Sequence, residues 1–213
     1  GASMPSVLNE QTPQRPSTDK GRLRVDVEQM LTSSRLRSVV IRAGDFFGSG
    51  TGSWFDLALV KDIAKGKVRL PGTSDVPTPW AYVPDLAATF VAVAERLQAD
   101  PLALPQHSSF GFAGHTLSER DWVQLLEPIA RESGWLAPGA SLKLASMPWG
   151  FMRALSFVVP LFRELLEMRY LGQTPHALSG AKLQAFLGSV PQTPLPQAVR
   201  AALQDLGKPV KRR

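Results

Sequence analysis

Ser38-Val39-Val40-Ile41-Arg42-Ala43-Gly44-Asp45-Phe46-Phe47-Gly48 is the stretch whose reading decides the fold. A β-branched apolar run, suited to a strand, empties into a small, polar, glycine-bearing loop. An open α/β sheet delivers its chain to a ligand crevice in this way, at the carboxyl ends of the strands. The reading places a strand over Arg37–Arg42 and a glycine-rich loop over Gly44–Ser53. No phosphate-cradling G-x-G-x-x-G precedes them. The sequence thus reads as the back half of an open α/β protein.

Outward from this stretch, Pro5, Pro13 and Pro16 bias the first 18 residues toward extended loop. Ser17, Thr18 or Asp19 can cap a helix over Lys20–Ser33, whose Leu23, Val27, Met30 and Leu31 recur at helical spacing. Downstream, a second amphipathic helix is expected over Trp54–Lys65, ended by Gly66, then a strand Lys67–Leu70 closed by Pro71-Gly72. A third helix, Leu86–Gln98, starts at Pro84-Asp85, with Asp85 as its cap and Ala87, Phe90, Val91 and Ala94 along one face. A strand over Ser108–Phe112 precedes a helix capped by Ser118. That helix has Asp121 at the capping-box position and Gly134 beyond its end. Beyond Pro138 the chain reads as proline-punctuated helix: Pro148–Tyr170, Gly180–Leu187 and Pro194–Leu206. The fold class is α/β, a parallel sheet with flanking helices. The expected division is loop over 1–18, α/β over 19–115, and a helix-rich lobe over 116–213.

Composition narrows the partners. The 213 residues can bury a sizeable core, and 44% hydrophobic content with 20% charge is globular rather than disordered. The net charge of +6 invites a nucleic-acid reading, which predicts strongly salt-dependent DNA affinity. The basic residues, however, are scattered among acids, and only the Lys208–Arg213 end forms a cluster, so no nucleic-acid partner is expected. Without cysteine there is neither a disulfide framework nor thiolate chemistry. With no signal peptide in the polar, proline-rich opening, the expected location is cytoplasmic. The most apolar stretch, Met147–Phe162, is broken by Pro148, Gly150, Arg153 and Pro160 and is too short to span a membrane. It suits core or lid.

Several landmarks stand in a fixed order: Thr12-Pro13, Pro16-Ser17, Lys20-Gly21-Arg22-Leu23-Arg24 with Glu28, Arg42 through Gly48, Lys65-Gly66-Lys67-Val68, Trp80-Ala81-Tyr82-Val83-Pro84-Asp85-Leu86-Ala87 and Glu167-Met168-Arg169-Tyr170-Leu171. The series resembles the NAD-dependent epimerase/dehydratase family, the extended short-chain dehydrogenase/reductases, and most closely its atypical nucleoside-diphosphate-sugar epimerase-like members. The resemblance runs from about Pro5 to Leu206 and matches the portion after the fourth or fifth strand of such a fold. It implies the C-terminal part of a Rossmann-like NAD(P)-binding fold, followed by a helix-rich substrate lobe.

The resemblance also implies roles. The family carries a Tyr-x-x-x-Lys pair on the helix that begins here near Lys20. The tyrosine moves a proton at the substrate oxygen, while the lysine supports it and grips the cofactor ribose. Lys20 and Arg24 hold those positions in this sequence, and arginine cannot shuttle protons. These two are either the catalytic pair in altered form or two solvated helix charges. Arg42, Ala43, Gly44 and Asp45 would lie on the nicotinamide side, with Gly44 and Gly48 offering backbone that can come close to a ligand. Phe46, Phe47, Gly48, Trp80 and Tyr82 would face substrate, although Trp80 and Tyr82 suit core packing equally well. His107, His115 and His176 share no metal-ligand spacing. The expected cofactor is NAD or NADP and the substrate a nucleotide-sugar or related hydroxy or keto compound. The piece is expected to be incomplete and inactive alone, and to pair with another copy or with a missing N-terminal segment. The alternative is a non-catalytic sugar-nucleotide or protein-binding module that keeps the fold.

Overall fold

A computed structural model describes residues 4–48, 50–70 and 75–208. The Pro71-Gly72 turn and the basic run after Lys208 lie outside the described residues. Strand β1 (Val7–Leu8) leads to α1 (Asp19–Ser33), whose N-cap is Thr18; its side chain accepts from the Gly21 amide at 3.1 Å. Next come β2 (Ser38–Arg42) and β3 (Asp45–Phe47). Strands β4 (Lys67–Leu70) and β5 (Thr78–Tyr82) precede α2 (Val83–Ala99). Then follow β6 (His107–Gly111), β7 (His115–Leu117), α3 (Glu119–Glu132) and β8 (Lys143–Ser146). The chain closes with α4 (Trp149–Leu155), α5 (Pro160–Met168), β9 (Ala177–Leu178), α6 (Ala181–Leu187) and α7 (Leu195–Asp205).

The α/β expectation holds. Strands β2 and β6 pair in parallel, Ile41 opposite Phe110, as do β4 with β8 and β1 with β9. A fourth sheet has the order β3-β5-β7: β3 is parallel to β5, with Asp45 opposite Trp80 and Phe47 opposite Tyr82, and β7 is antiparallel. One core gathers Phe47, Phe55, Leu59, Trp122, Leu126 and Leu203 around the mixed sheet. A second gathers Ala81, Leu86, Val93, Phe110, Phe112 and Leu183 behind β2 and β6. Packing runs across residue 115 in both directions. Segment 55–68 joins α3 and α7 in the first core, and α6 returns to cover Phe110, where Phe186 stacks at 5.4 Å.

Four local expectations are corrected. Trp54–Lys65 is not one amphipathic helix but a π-helical turn over Phe55–Leu59, closed by a Val60 amide to Phe55 carbonyl bond of 2.8 Å, then a 3₁₀ turn over Ile63–Lys65. Phe55, Leu59, Val60 and Ile63 all enter the core, and the wider turn spreads them over more of its circumference than one α-helical stripe would. Gly66 ends the segment as expected, at φ +70°. The Pro148–Tyr170 helix is split into α4 and α5, because Pro160 cannot continue a helix and instead starts the next one. Helix α2 buries Leu86, Thr89 and Val93, leaving the expected apolar face at Phe90 and Val91 exposed. Asp85 does not cap α2. Its carboxylate accepts from the Thr193 amide at 2.7 Å and the Thr193 hydroxyl at 2.6 Å, tying the approach to α7 onto α2. The capping box at Ser118 and Asp121 is present as expected.

Candidate functional site

Two cavities meet at the end of β2. The larger, about 870 Å³, lies between the N-terminal stretch, α1 and β2, with walls that include Pro13, Arg24, Glu28, Arg42 and Phe46. The smaller, about 270 Å³, lies toward α3, α4 and α5, and its walls include Trp54, Trp80, Glu119, Trp149, Arg169 and His176. Ala43, Gly44 and Asp45 border both, flanked by Leu8 of β1 and Leu178 of β9.

The geometry at the β2 end follows from its neighbours. Arg42 donates from Nε to Glu28 Oε1 at 3.1 Å and from Nη2 to Glu28 Oε2 at 2.5 Å, a bidentate pair bridging β2 and α1. Gln14 donates to the same carboxylate at 3.0 Å. The Arg42 hydrogen bonds hold Glu28 below the usual carboxylate range and raise Arg42 in return. Glu10 accepts from the Gly111 amide at 2.7 Å and so fixes the N-terminal stretch against β6. Across the loop, the Arg169 guanidinium lies 5.1 Å from the Trp149 ring centroid, a cation–π contact on the rim of the smaller cavity. His176 Nδ1 lies 2.8 Å from the Thr174 carbonyl; because a carbonyl only accepts, this nitrogen carries the proton.

Asp45 differs from its charged neighbours. Among the described residues no hydrogen bond or ion pair reaches its carboxyl, and burial alone pushes its pKa up to about 6. It is a partly buried carboxyl in the wall shared by both cavities.

The other residues singled out in the sequence separate into groups. Arg24, Arg42, Ala43, Gly44, Asp45 and Phe46 all line the larger cavity, and Phe46 is 48% exposed there. Phe47 does not face a ligand. It is fully buried, with its ring centroid 5.2 Å from Tyr82 and 5.7 Å from Trp122. Alternation along β3 sends Phe46 one way and Phe47 the other. Tyr82, opposite Phe47, is likewise core and lines neither cavity. Trp80 is buried against Trp122, yet one part of it reaches the smaller cavity, and its Nε1 donates to Thr78 Oγ1 at 3.1 Å.

Gly44 and Gly48 are required by packing. A Cβ on Gly44 would sit 2.0 Å from the Pro79 carbonyl oxygen, and one on Gly48 would sit 2.4 Å from the Tyr82 ring. Lys20 borders neither cavity; its ammonium pairs with Glu164 of α5 at 2.7 Å on the surface. Lys20 and Arg24, one turn apart, therefore do not meet at a common site. Glu119, Arg169 and His176 were not foreseen as wall residues. Arg169 lies in the Glu167–Leu171 landmark, whereas Glu119 and His176 carried no signal beyond a helix start and an isolated histidine. Among the described residues no group of side chains could hold a metal ion, and no helix is long and apolar enough to cross a membrane.

No protein-family model matches the chain, and no curated protein matches it. Solved structures do. The L-threonine 3-dehydrogenase from Trypanosoma brucei matches with a TM-score of 0.67 at 16% identity, over 98% of this chain and 61% of its own. The UDP-glucose 4-epimerase from Bifidobacterium longum in complex with NAD+ and UDP matches with 0.64 at 17%, over 97% and 59%. RMD from Pseudomonas aeruginosa complexed with NADPH matches with 0.62 at 16%, over 93% and 59%. The chain thus spans about three-fifths of the length of each protein. Nearly all of it superposes on part of each, so its fold is that of the matching portion of these proteins, a Rossmann-like α/β arrangement.

Proposed function

We propose that the chain is the C-terminal portion of a cytoplasmic NAD(P)-dependent epimerase, dehydratase or reductase acting on a nucleotide-sugar or a related hydroxy or keto substrate. The observation that carries this reading is the pair of cavities meeting at Ala43-Gly44-Asp45, at the carboxyl end of a parallel strand, where open α/β sheets bind ligands. The solved structures of this fold that contain NAD+ or NADPH support it.

The larger cavity fits the nicotinamide end of the cofactor. Ala43 offers only a methyl group to the shared wall, and the Arg42–Glu28 pair braces the floor. Gly44 and Gly48 leave no open space for a pyrophosphate beside their Cα atoms, which Pro79 and Tyr82 fill. When bound, the nicotinamide supplies hydride acceptance and return. The chain's own work is to orient substrate in the smaller cavity between Trp80, Trp149 and Arg169, to exclude water there, and to handle the hydroxyl proton. Arg24 contributes a fixed positive charge on the cofactor side. Segment 116–213 serves as most of the substrate lobe.

A second reading, a non-catalytic sugar-nucleotide or protein-binding module, draws on one observation: Lys20 is engaged by Glu164 and lies away from both cavities. Calorimetric titration of the 213-residue chain with NAD+, NADP+ and UDP-glucose separates the two. The catalytic reading expects dinucleotide binding weaker than micromolar from this chain and clearly tighter binding by the full-length product of the gene. If both bind UDP-glucose while neither binds dinucleotide, the module reading stands instead.

A further inference from the structure

We infer that Asp45 is the proton-transferring group of the site, occupying the role that a tyrosine would otherwise fill. The inference rests on the dehydrogenase-like reading above and adds to it a residue and a chemistry. Position comes first. Asp45 stands in the wall common to the two cavities, opposite Trp80 on the adjacent strand, where a ligand in the smaller cavity and one in the larger would touch. Among the described residues Asp45 is the one acid that borders both cavities. Glu10 and Glu28 face the larger one, with their oxygens committed to the Gly111 amide and to Arg42 and Gln14. Glu119 faces the smaller one from the first turn of α3.

Chemistry comes second. A general acid–base works best when its pKa lies near the working pH, and an ordinary carboxyl is too acidic to hold a hydroxyl proton. Burial without a cationic partner raises Asp45 to about 6. Two of the cations lining the cavities are engaged elsewhere: Arg42 binds Glu28, and Arg169 stacks on Trp149. Arg15 and Arg24 complete the charged groups lining the larger cavity, and Glu119, Arg169 and His176 stand with Asp45 around the smaller.

The step balances simply. From a secondary alcohol, the carbon-bound hydrogen leaves with its electron pair for an oxidised nicotinamide, and the hydroxyl proton passes to an Asp45 carboxylate oxygen, leaving a ketone and a neutral carboxyl. Reversal returns the same proton to the same oxygen.

Two measurements on the full-length product of the gene test this. The first is an NMR titration with isotopic labelling of the aspartate carboxyls, where Asp45→Asn identifies the signal by its loss. A midpoint near 6 is expected; a midpoint near the ordinary value of about 4 overturns the inference. The second is hydride transfer from UDP-glucose and L-threonine to NAD+ and NADP+. Asp45→Asn is expected to lower kcat on the order of 100-fold, with the acid limb of the pH profile removed; Asp45→Glu should restore part of the rate. An Asp45→Asn protein with wild-type kcat and pH profile overturns the inference alone. Absence of transfer by the wild-type protein overturns the underlying reading, and the inference falls with it.

Discussion

Asp45 sets a stability signature that is separable from any activity. Its folded pKa lies above the unfolded value, so the folded chain retains a proton that the unfolded chain gives up. The cost is absent below about pH 4, grows between about 4 and 6, and is complete above about 6. Asp45→Asn carries no such cost. Denaturant melts should therefore show it more stable than wild type near neutral pH, by about 1–3 kcal/mol, and equal to it in mild acid. A variant equally stable at both pH values would show that Asp45 is not desolvated. Gly44 makes the opposite kind of prediction. Gly44→Ala drives a methyl group against the Pro79 carbonyl across the β3–β5 ladder, where neither backbone can yield, so a loss of at least about 2 kcal/mol is expected in the same melts. The sequence suggested a glycine sparing room for a ligand. The neighbour that takes the room lies 35 residues on, and no local pattern reveals it.

Among the elements, those fixed by local chemistry were legible and those fixed by distant partners were not. Thr18 and Ser118 announce their helices because a capping hydroxyl bonds within three residues. Strand β2 reads from its β-branched run. Helix α2 is different: it is apolar on two stripes, Leu86–Thr89–Val93 and Ala87–Phe90–Val91–Ala94, and periodicity alone does not choose which one meets the sheet. Asp85 stands at a natural cap position, but its partner is Thr193, more than a hundred residues away. Asp85→Ala strands the Thr193 amide and hydroxyl beside a buried helix start. A loss of about 2–4 kcal/mol is expected, with hydrogen exchange at the Thr193 amide accelerated ahead of the rest of the chain. Unchanged protection there would contradict the tie. By contrast, Glu164→Gln removes only an exposed partner of Lys20 and should shift stability by less than about 1 kcal/mol.

At the scale of the molecule, apolar surface points to what the chain expects beside it. Leu23, Val27 and Met30 of α1 are 63%, 53% and 72% exposed, and Phe90 and Val91 add a second uncovered patch on α2. Among the described residues β2 has β6 as its one ladder partner. Such faces attract cover, and the chain alone should associate with itself, its sedimentation coefficient rising with concentration; a monodisperse monomer would contradict this. The α/β class was legible from one strand-to-loop segment, whose end borders both cavities. The smaller cavity was not, because its walls come from β5, α3, α4 and the turn after α5, brought together only by the two cores. The central claim is hydride chemistry at the junction of the two cavities. It is tested most directly by following the near-ultraviolet absorbance of reduced nicotinamide when the full-length product of the gene is mixed with NAD+ or NADP+ and UDP-glucose, UDP-glucuronic acid or L-threonine. Reduced nicotinamide should appear with one of these substrates, bound and transient where the hydride is returned, and its appearance should depend on Asp45. A full-length protein that binds a substrate and a dinucleotide yet transfers no hydride to it would contradict the account.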